Sequence, residues 1–154
     1  MLEHLELTLS PEEIEALSSQ YINQGLKKET WEFKKIEVKA DLMKARVHMT
    51  STSVSPTDPA GFHLSMFIAQ EILGQMSNIY LHLAAGLRTK RRESWMRECS
   101  FKYRNVIRDP NDIRAEMKVL ATKKIGDSQY GSVECRMTDS QDGEFTCSIK
   151  GVLR

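Results

Sequence analysis

The chain has 154 residues, a formal net charge of +1, and 40% hydrophobic against 28% charged residues. That length suits a single domain over 1–154, the balance argues against disordered and fibrous classes, and near-neutrality removes any global attraction to nucleic acid. Three cysteines, Cys99, Cys135 and Cys147, stand without CxxC spacing. They offer neither a disulfide framework nor a metal site, and they point to a reducing, cytoplasmic setting.

In chain order, Met1 to Glu6 lacks a basic region followed by an apolar core, so no secretory signal is expected. Residues 1–28 read as an N-terminal helical segment. Ser10-Pro11-Glu12-Glu13 opens a short helix with a capping serine, a first-position proline and a capping-box glutamate. Ile14, Leu17 and Tyr21 share one face, and Gly25 is a plausible stop. This amphipathic helix is expected to pack on the outside of the main body.

From Trp31 the period becomes two. Trp31 and Phe33, then Ile36, Val38 and Ala40, alternate with polar residues. Beyond Asp41-Leu42, the residues Met43, Ala45, Val47 and Met49 alternate with Lys44, Arg46, His48 and Thr50. Two antiparallel strands joined by a tight turn fit this pattern, with His48 on the surface. The phase slip between Phe33 and Ile36 reads either as a bulge or as a late strand start.

A Ser/Thr/Pro-rich loop over 51–60 leads to a helix predicted from about Phe62 to about Ala85. Apolar residues occupy nearly its whole circumference, which marks a buried helix. Its polar residues interrupt the run too often for a lipid-facing span, so no membrane helix is predicted. Four period-two runs follow, around Trp95–Tyr103, Ile113–Ala121, Tyr130–Met137 and Phe145–Leu153, with Tyr130 out of phase. Asp109-Pro110-Asn111-Asp112, Gly126-Asp127-Ser128 and Asp142-Gly143 supply the turns between them. The reading is α+β: an antiparallel sheet wrapped around one long central helix, with a short N-terminal helix. Such a sheet leaves long edges, and pairing them across a two-fold axis predicts a homodimer or a higher assembly.

This order, with its local motifs, resembles the hot-dog superfamily, especially the 3-hydroxyacyl-carrier-protein dehydratases and related long-chain acyl thioesterases. Pro59-Ala60-Gly61 followed by Ala69-Gln70 is similar to the dehydratase pattern of a Pro-Gly helix opening and a mid-helix Ala-Gln. Ser100 to Val106 with Asp109 to Asp112 resembles that family's strand and turn, and Asp142-Gly143-Glu144 its last hairpin. The resemblance implies a protein of fatty-acid or polyketide biosynthesis that processes acyl thioesters. It implies first a dehydratase-like enzyme on 3-hydroxyacyl-carrier protein or acyl-CoA. A thioesterase and a non-catalytic acyl-binding or assembly subunit are the alternatives. The chain departs from the dehydratase pattern at two points: the family's acidic helix position falls on Met66, and its loop histidine falls near Thr52-Ser53. The thioesterase asparagine falls on Ala69.

In the superfamily the thioester threads between subunits beside the start of the central helix, which directs attention to Asp58, Gly61, Phe62, His63, Ser65, Met66 and Gln70. His63 is the acid/base candidate, because imidazole titrates near neutrality; the alternative is a hydrogen-bonded, inert histidine. Asp58 either caps amides or pairs with His63, and Gln70 either orients substrate and water or is a satisfied amide. Gly61, Phe62, Ser65 and Met66 are the expected substrate contacts. His63, Gln70, Gly74 and Ser77 project onto one helical stripe, and Glu71, Gln75, Asn78 and His82 onto a second that reads as a solvent or interface edge. Arg88, Lys90, Arg91 and Arg92 form a basic cluster, either a solvated loop or a dock for acyl-carrier protein or the phosphates of coenzyme A. No metal, cofactor or nucleic acid is predicted.

Overall fold

The computed structural model describes residues 29–55 and 57–154. The expected N-terminal helix lies outside the described residues.

Strands β1 (Thr30–Lys39) and β2 (Leu42–Ser51) form a hairpin whose two-residue turn places Ala40 at φ +52°. The phase slip is a bulge: the β1–β2 register shifts between Phe33 and Lys35. Helix α1 (Met66–Ala84) follows, and then β3 (Ser94–Asn105), β4 (Ile113–Ile125), β5 (Ser128–Thr138) and β6 (Glu144–Leu153). All six strands join one antiparallel sheet in the order β1-β2-β4-β5-β6-β3.

Alternation decides which face is covered. Met43 and Val47 of β2, Ile113 and Met117 of β4, Met137 of β5 and Phe145 of β6 are all fully buried on one side, with the charged residues between them on the other. Across that apolar face α1 lays Ile68, Ala69, Ile72, Leu73 and Met76, all buried. Each large side chain so buried contributes about 1.5–3 kcal/mol.

The helix differs from its prediction in two respects. It starts at Met66, four residues late, and it buries one face rather than its whole circumference: Met66 and Phe67 are 42% and 54% exposed. His82, expected on a solvent or interface edge, is buried and donates from Nδ1 to the Asn78 carbonyl at 2.9 Å.

Sheet order also sets up the site. β3 and β4 are consecutive in the chain but separated by β5 and β6 in the sheet, so residues 106–112 must cross the sheet end. On that path Ile107 accepts from the Leu64 amide at 2.9 Å and Pro110 from the Met49 amide at 2.8 Å. The β3–β4 connection is thereby laid along the segment that enters α1.

Candidate active site

The entrance to α1 is built from residues 58–65. Asp58 opens a turn: its carbonyl accepts from the Gly61 amide at 3.2 Å and its Oδ1 from the Ala60 amide at 3.1 Å. Gly61 sits at φ +85°, a conformation that favours glycine, with open space where a side chain would stand. The non-helical segment that follows buries Phe62 and Leu64 in the core and leaves His63 half-buried between them. Ser65 ends the segment as the helix N-cap, its Oγ accepting from the Ile68 amide at 3.3 Å. The late helix start has this cause. The polar groups of 62–64 bond to the β3–β4 side of the molecule, where Tyr103 Oη donates to the Leu64 carbonyl at 2.9 Å and Arg108 to the Phe62 carbonyl at 3.3 Å.

His63, Asp58 and Arg108 meet there. One oxygen, Asp58 Oδ2, accepts from His63 Nδ1 at 2.9 Å and from an Arg108 guanidinium nitrogen at 3.1 Å. All three side chains are partly shielded from solvent. The Arg108 hydrogen bond is the leading cause that holds the Asp58 carboxyl below the usual carboxylate range; the Ala60 amide and His63 act the same way, and desolvation opposes them. A carboxylate can only accept, so the His63 nitrogen facing it is the protonated one, and the lone pair belongs to Nε2. The arrangement can orient an imidazole and stabilise its cation.

No protein-family model matches the chain, and no curated protein matches it in sequence. Its fold does have counterparts. A hypothetical thioesterase from Streptococcus pneumoniae, solved with coenzyme A, superposes with a TM-score of 0.56 at 7% identity, covering 81% of this chain and 86% of that one. A mutant thioesterase from Pseudomonas aeruginosa gives 0.58 at 9% identity, covering 80% of each chain. A Streptococcus mutans protein bound to acetyl-CoA gives 0.56 at 8% identity, covering 80% and 89%.

The chain has the hot-dog fold.

Within this hot-dog domain the remaining predicted site residues are distributed along α1 and beyond it. Phe62 and Ser65 are buried, one in the core and one as the cap, whereas Met66 and Gly61 face outward. Gln70 is one turn further on, its Nε2 3.6 Å from Met96 Sδ of β3. Because His63 precedes the helix, it does not share the stripe of Gln70, Gly74 and Ser77. The basic cluster lies past the other end of α1. There Lys90 pairs with Glu93 at 3.1 Å, Arg91 Nε donates to Thr89 Oγ1 at 3.3 Å, Arg92 donates to the Asp127 carbonyl, and Arg88 is exposed. Among the described residues no group of three or more His, Cys, Asp or Glu side chains is placed to hold a metal, and no helix is long and apolar enough to cross a membrane.

Two residues have no sequence signal of their own: Arg108, and Asp139, whose Oδ2 accepts from the Arg108 and Asp109 amides at 2.6 and 2.9 Å. Arg108 reads as one more cation in a basic stretch, although the turn residues after it mark the connection. Asp139 lies outside every motif of the sequence.

Proposed function

We propose that the protein hydrolyses acyl thioesters of coenzyme A, with His63 as general base and Asp58 as the group that orients it. The observation carrying this reading is the shared Asp58 oxygen, which holds His63 Nδ1 and the Arg108 guanidinium at the entrance to α1. The fold's likeness to proteins solved with coenzyme A or acetyl-CoA supports the substrate class.

In the reaction His63 Nε2 takes a proton from water as its oxygen attacks the thioester carbonyl carbon. The tetrahedral intermediate expels sulfur as the C–S bond breaks, and the imidazolium returns its proton to the thiolate. The products are a carboxylic acid and free coenzyme A. Asp58 stays ionised throughout and stabilises the transient imidazolium. Gly61 leaves room for the thioester beside the positive end of the α1 dipole. Exposed Met66 offers the acyl chain an apolar surface, Phe62 and Ser65 support that surface from beneath, and Gln70 orients water from the next turn.

The carrier is gripped by Arg88, Lys90, Arg91 and Arg92, acting on the phosphates of coenzyme A. Within one protomer α1 holds that cluster about 28 Å from its own entrance, so the site needs a second copy. Edge strand β3 suits self-pairing, because its Trp95 and Met96 are exposed. Antiparallel pairing centred on Ser100 sets Glu98 opposite the partner's Lys102 and carries the partner's basic cluster toward Arg108 and His63.

The test is thiol release from acyl-CoA by wild type and His63→Ala. Activity in the variant falls about 100-fold or more if His63 is the base; unchanged release removes it from the mechanism. The same assay on 3-hydroxyacyl thioesters of coenzyme A and of acyl-carrier protein separates the other readings. An unsaturated thioester without free thiol indicates a dehydratase of fatty-acid or polyketide biosynthesis, and binding without product indicates an acyl-binding or assembly subunit. Mixing His63→Ala chains with chains lacking the basic cluster restores about a quarter of wild-type activity if the two sets of residues come from different protomers, by random assortment in a two-fold dimer. No recovery overturns the shared site.

A further inference from the structure

Asp139, the residue after β5, is 7% exposed and accepts from four backbone amides. Its Oδ1 takes those of Gln141 at 2.9 Å and Gly143 at 2.7 Å, within its own hairpin. Its Oδ2 reaches the distant β3–β4 connection and takes the consecutive amides of Arg108 at 2.6 Å and Asp109 at 2.9 Å. These two amides belong to the peptide planes on either side of the Arg108 α-carbon. Fixing both planes fixes the direction in which the Arg108 side chain leaves the backbone. That side chain ends on Asp58 Oδ2, the oxygen that also holds His63 Nδ1.

A second feature presses the same two segments together. A Cβ on Gly143 would come within 2.6 Å of the Ile107 α-carbon and 2.8 Å of the Val106 carbonyl oxygen, so the β5–β6 hairpin seats against the connection with no room for a side chain. Ile107 in turn accepts from the Leu64 amide, one residue past His63. Hairpin, connection and histidine loop thus form one strut, with the Asp139 carboxylate at its base.

We propose that Asp139 is a positioning residue for the Asp58–His63 pair, acting through the backbone and guanidinium of Arg108. This rests on the reading of His63 as general base. A carboxylate serving its own hairpin would need the Gln141 and Gly143 amides only; the bonds to Arg108 and Asp109 serve the site. Loss of the strut lets Arg108 leave Asp58, and the imidazole loses its fixed acceptor.

The experiment compares Asp139→Asn, Arg108→Gln and Gly143→Ala with wild type and with Val119→Ala, a core control near the β1–β2 turn, whose amide donates to the Asp41 carbonyl. Two readouts are used. Ring ¹⁵N chemical shifts of His63 at neutral pH report which nitrogen carries the proton and need no substrate. Steady-state thiol release separates kcat from KM. The three strut variants are expected to lose the Nδ1-protonated signature and about tenfold in kcat, with KM within about threefold. Val119→Ala lowers the thermal midpoint and leaves both readouts in place. An Asp139→Asn protein with a wild-type His63 ring pattern or a wild-type kcat overturns the proposal. Should that variant not fold, Arg108→Gln and Gly143→Ala decide by the same spectra. Absence of thiol release in wild type would sink the thioester reading alone, because the ring spectra still judge the strut.

Discussion

The hydroxyl of Tyr103 donates a 2.9 Å hydrogen bond to the carbonyl of Leu64, so edge strand β3 holds the segment that enters α1. Burial pushes the Tyr103 phenol up to about 12, which favours the neutral donor in the folded state. A raised folded pKa makes this contribution complete below the ordinary phenol value of about 10, and it fades as pH rises through about 12. Absorbance titration at 295 nm of wild type against Tyr103→Phe is expected to differ by a step near about 12 rather than near about 10. At neutral pH the substitution lowers stability by about 1 kcal/mol, measured by urea denaturation.

Acid should weaken the same region. Burial by itself would raise the Asp139 carboxyl, but the four amide hydrogen bonds together outweigh it and hold the group below the usual range. Asp58 is held low chiefly by Arg108. Lowered folded pKa values mean stability that is present above the ordinary carboxyl value of about 3.9 and lost as pH falls below it. Urea denaturation between pH 3 and pH 7 is expected to show a steep loss at the acid end in wild type. Asp139→Asn should start about 2 kcal/mol lower at pH 7 and lose less on acidification.

Helix entry depends on Ser65. The first turn of α1 contains no acidic residue, so the serine Oγ is the side-chain acceptor there. Ser65→Ala is expected to cost about 1 kcal/mol. Ser65→Asp should keep the cap and add a favourable charge at the positive end of the dipole, holding the thermal midpoint at or above wild type. A midpoint that ignores both substitutions would remove Ser65 from the account of where the helix begins.

The cysteines should be inert. Cys99 and Cys147 place their sulfurs 3.6 Å apart on the covered face of the sheet. Burial pushes the Cys99 thiol up to about 12; the Cys135 contact, and then burial, raise Cys147. Reaction proceeds through the thiolate, so Cys99 and Cys147 in native protein at pH 8 are expected to resist a colorimetric thiol reagent until denaturant is added. Rapid native labelling of Cys147 would contradict the burial that sets this order.

Local periodicity determined most of the fold. The alternation through Met43, Ala45, Val47 and Met49, and again through Ile113, Ala115 and Met117, assigns strands and their covered face because successive strand side chains point to opposite sides. The slip between Phe33 and Ile36 signalled an irregularity, which the register shows to be a bulge. Even Asp58 and His63 were legible as a candidate pair, since only four residues stand between them in the chain.

Tertiary structure decided what periodicity cannot express. Apolar spacing continues back to Phe62, yet the helix begins at Met66, because Tyr103, Ile107 and Arg108 hydrogen-bond backbone groups of Phe62 and Leu64 outside any helix before Ser65 caps the first turn. Arg108 and Asp139 join the site only because β3 and β4 lie apart in the sheet and their connection must pass its end. Arg108 is 50 residues from Asp58 and 31 from Asp139 along the chain. Local sequence encodes the torsions of neighbouring residues, whereas the meeting of segments that far apart is fixed by strand order, which emerges only when the whole apolar face is covered.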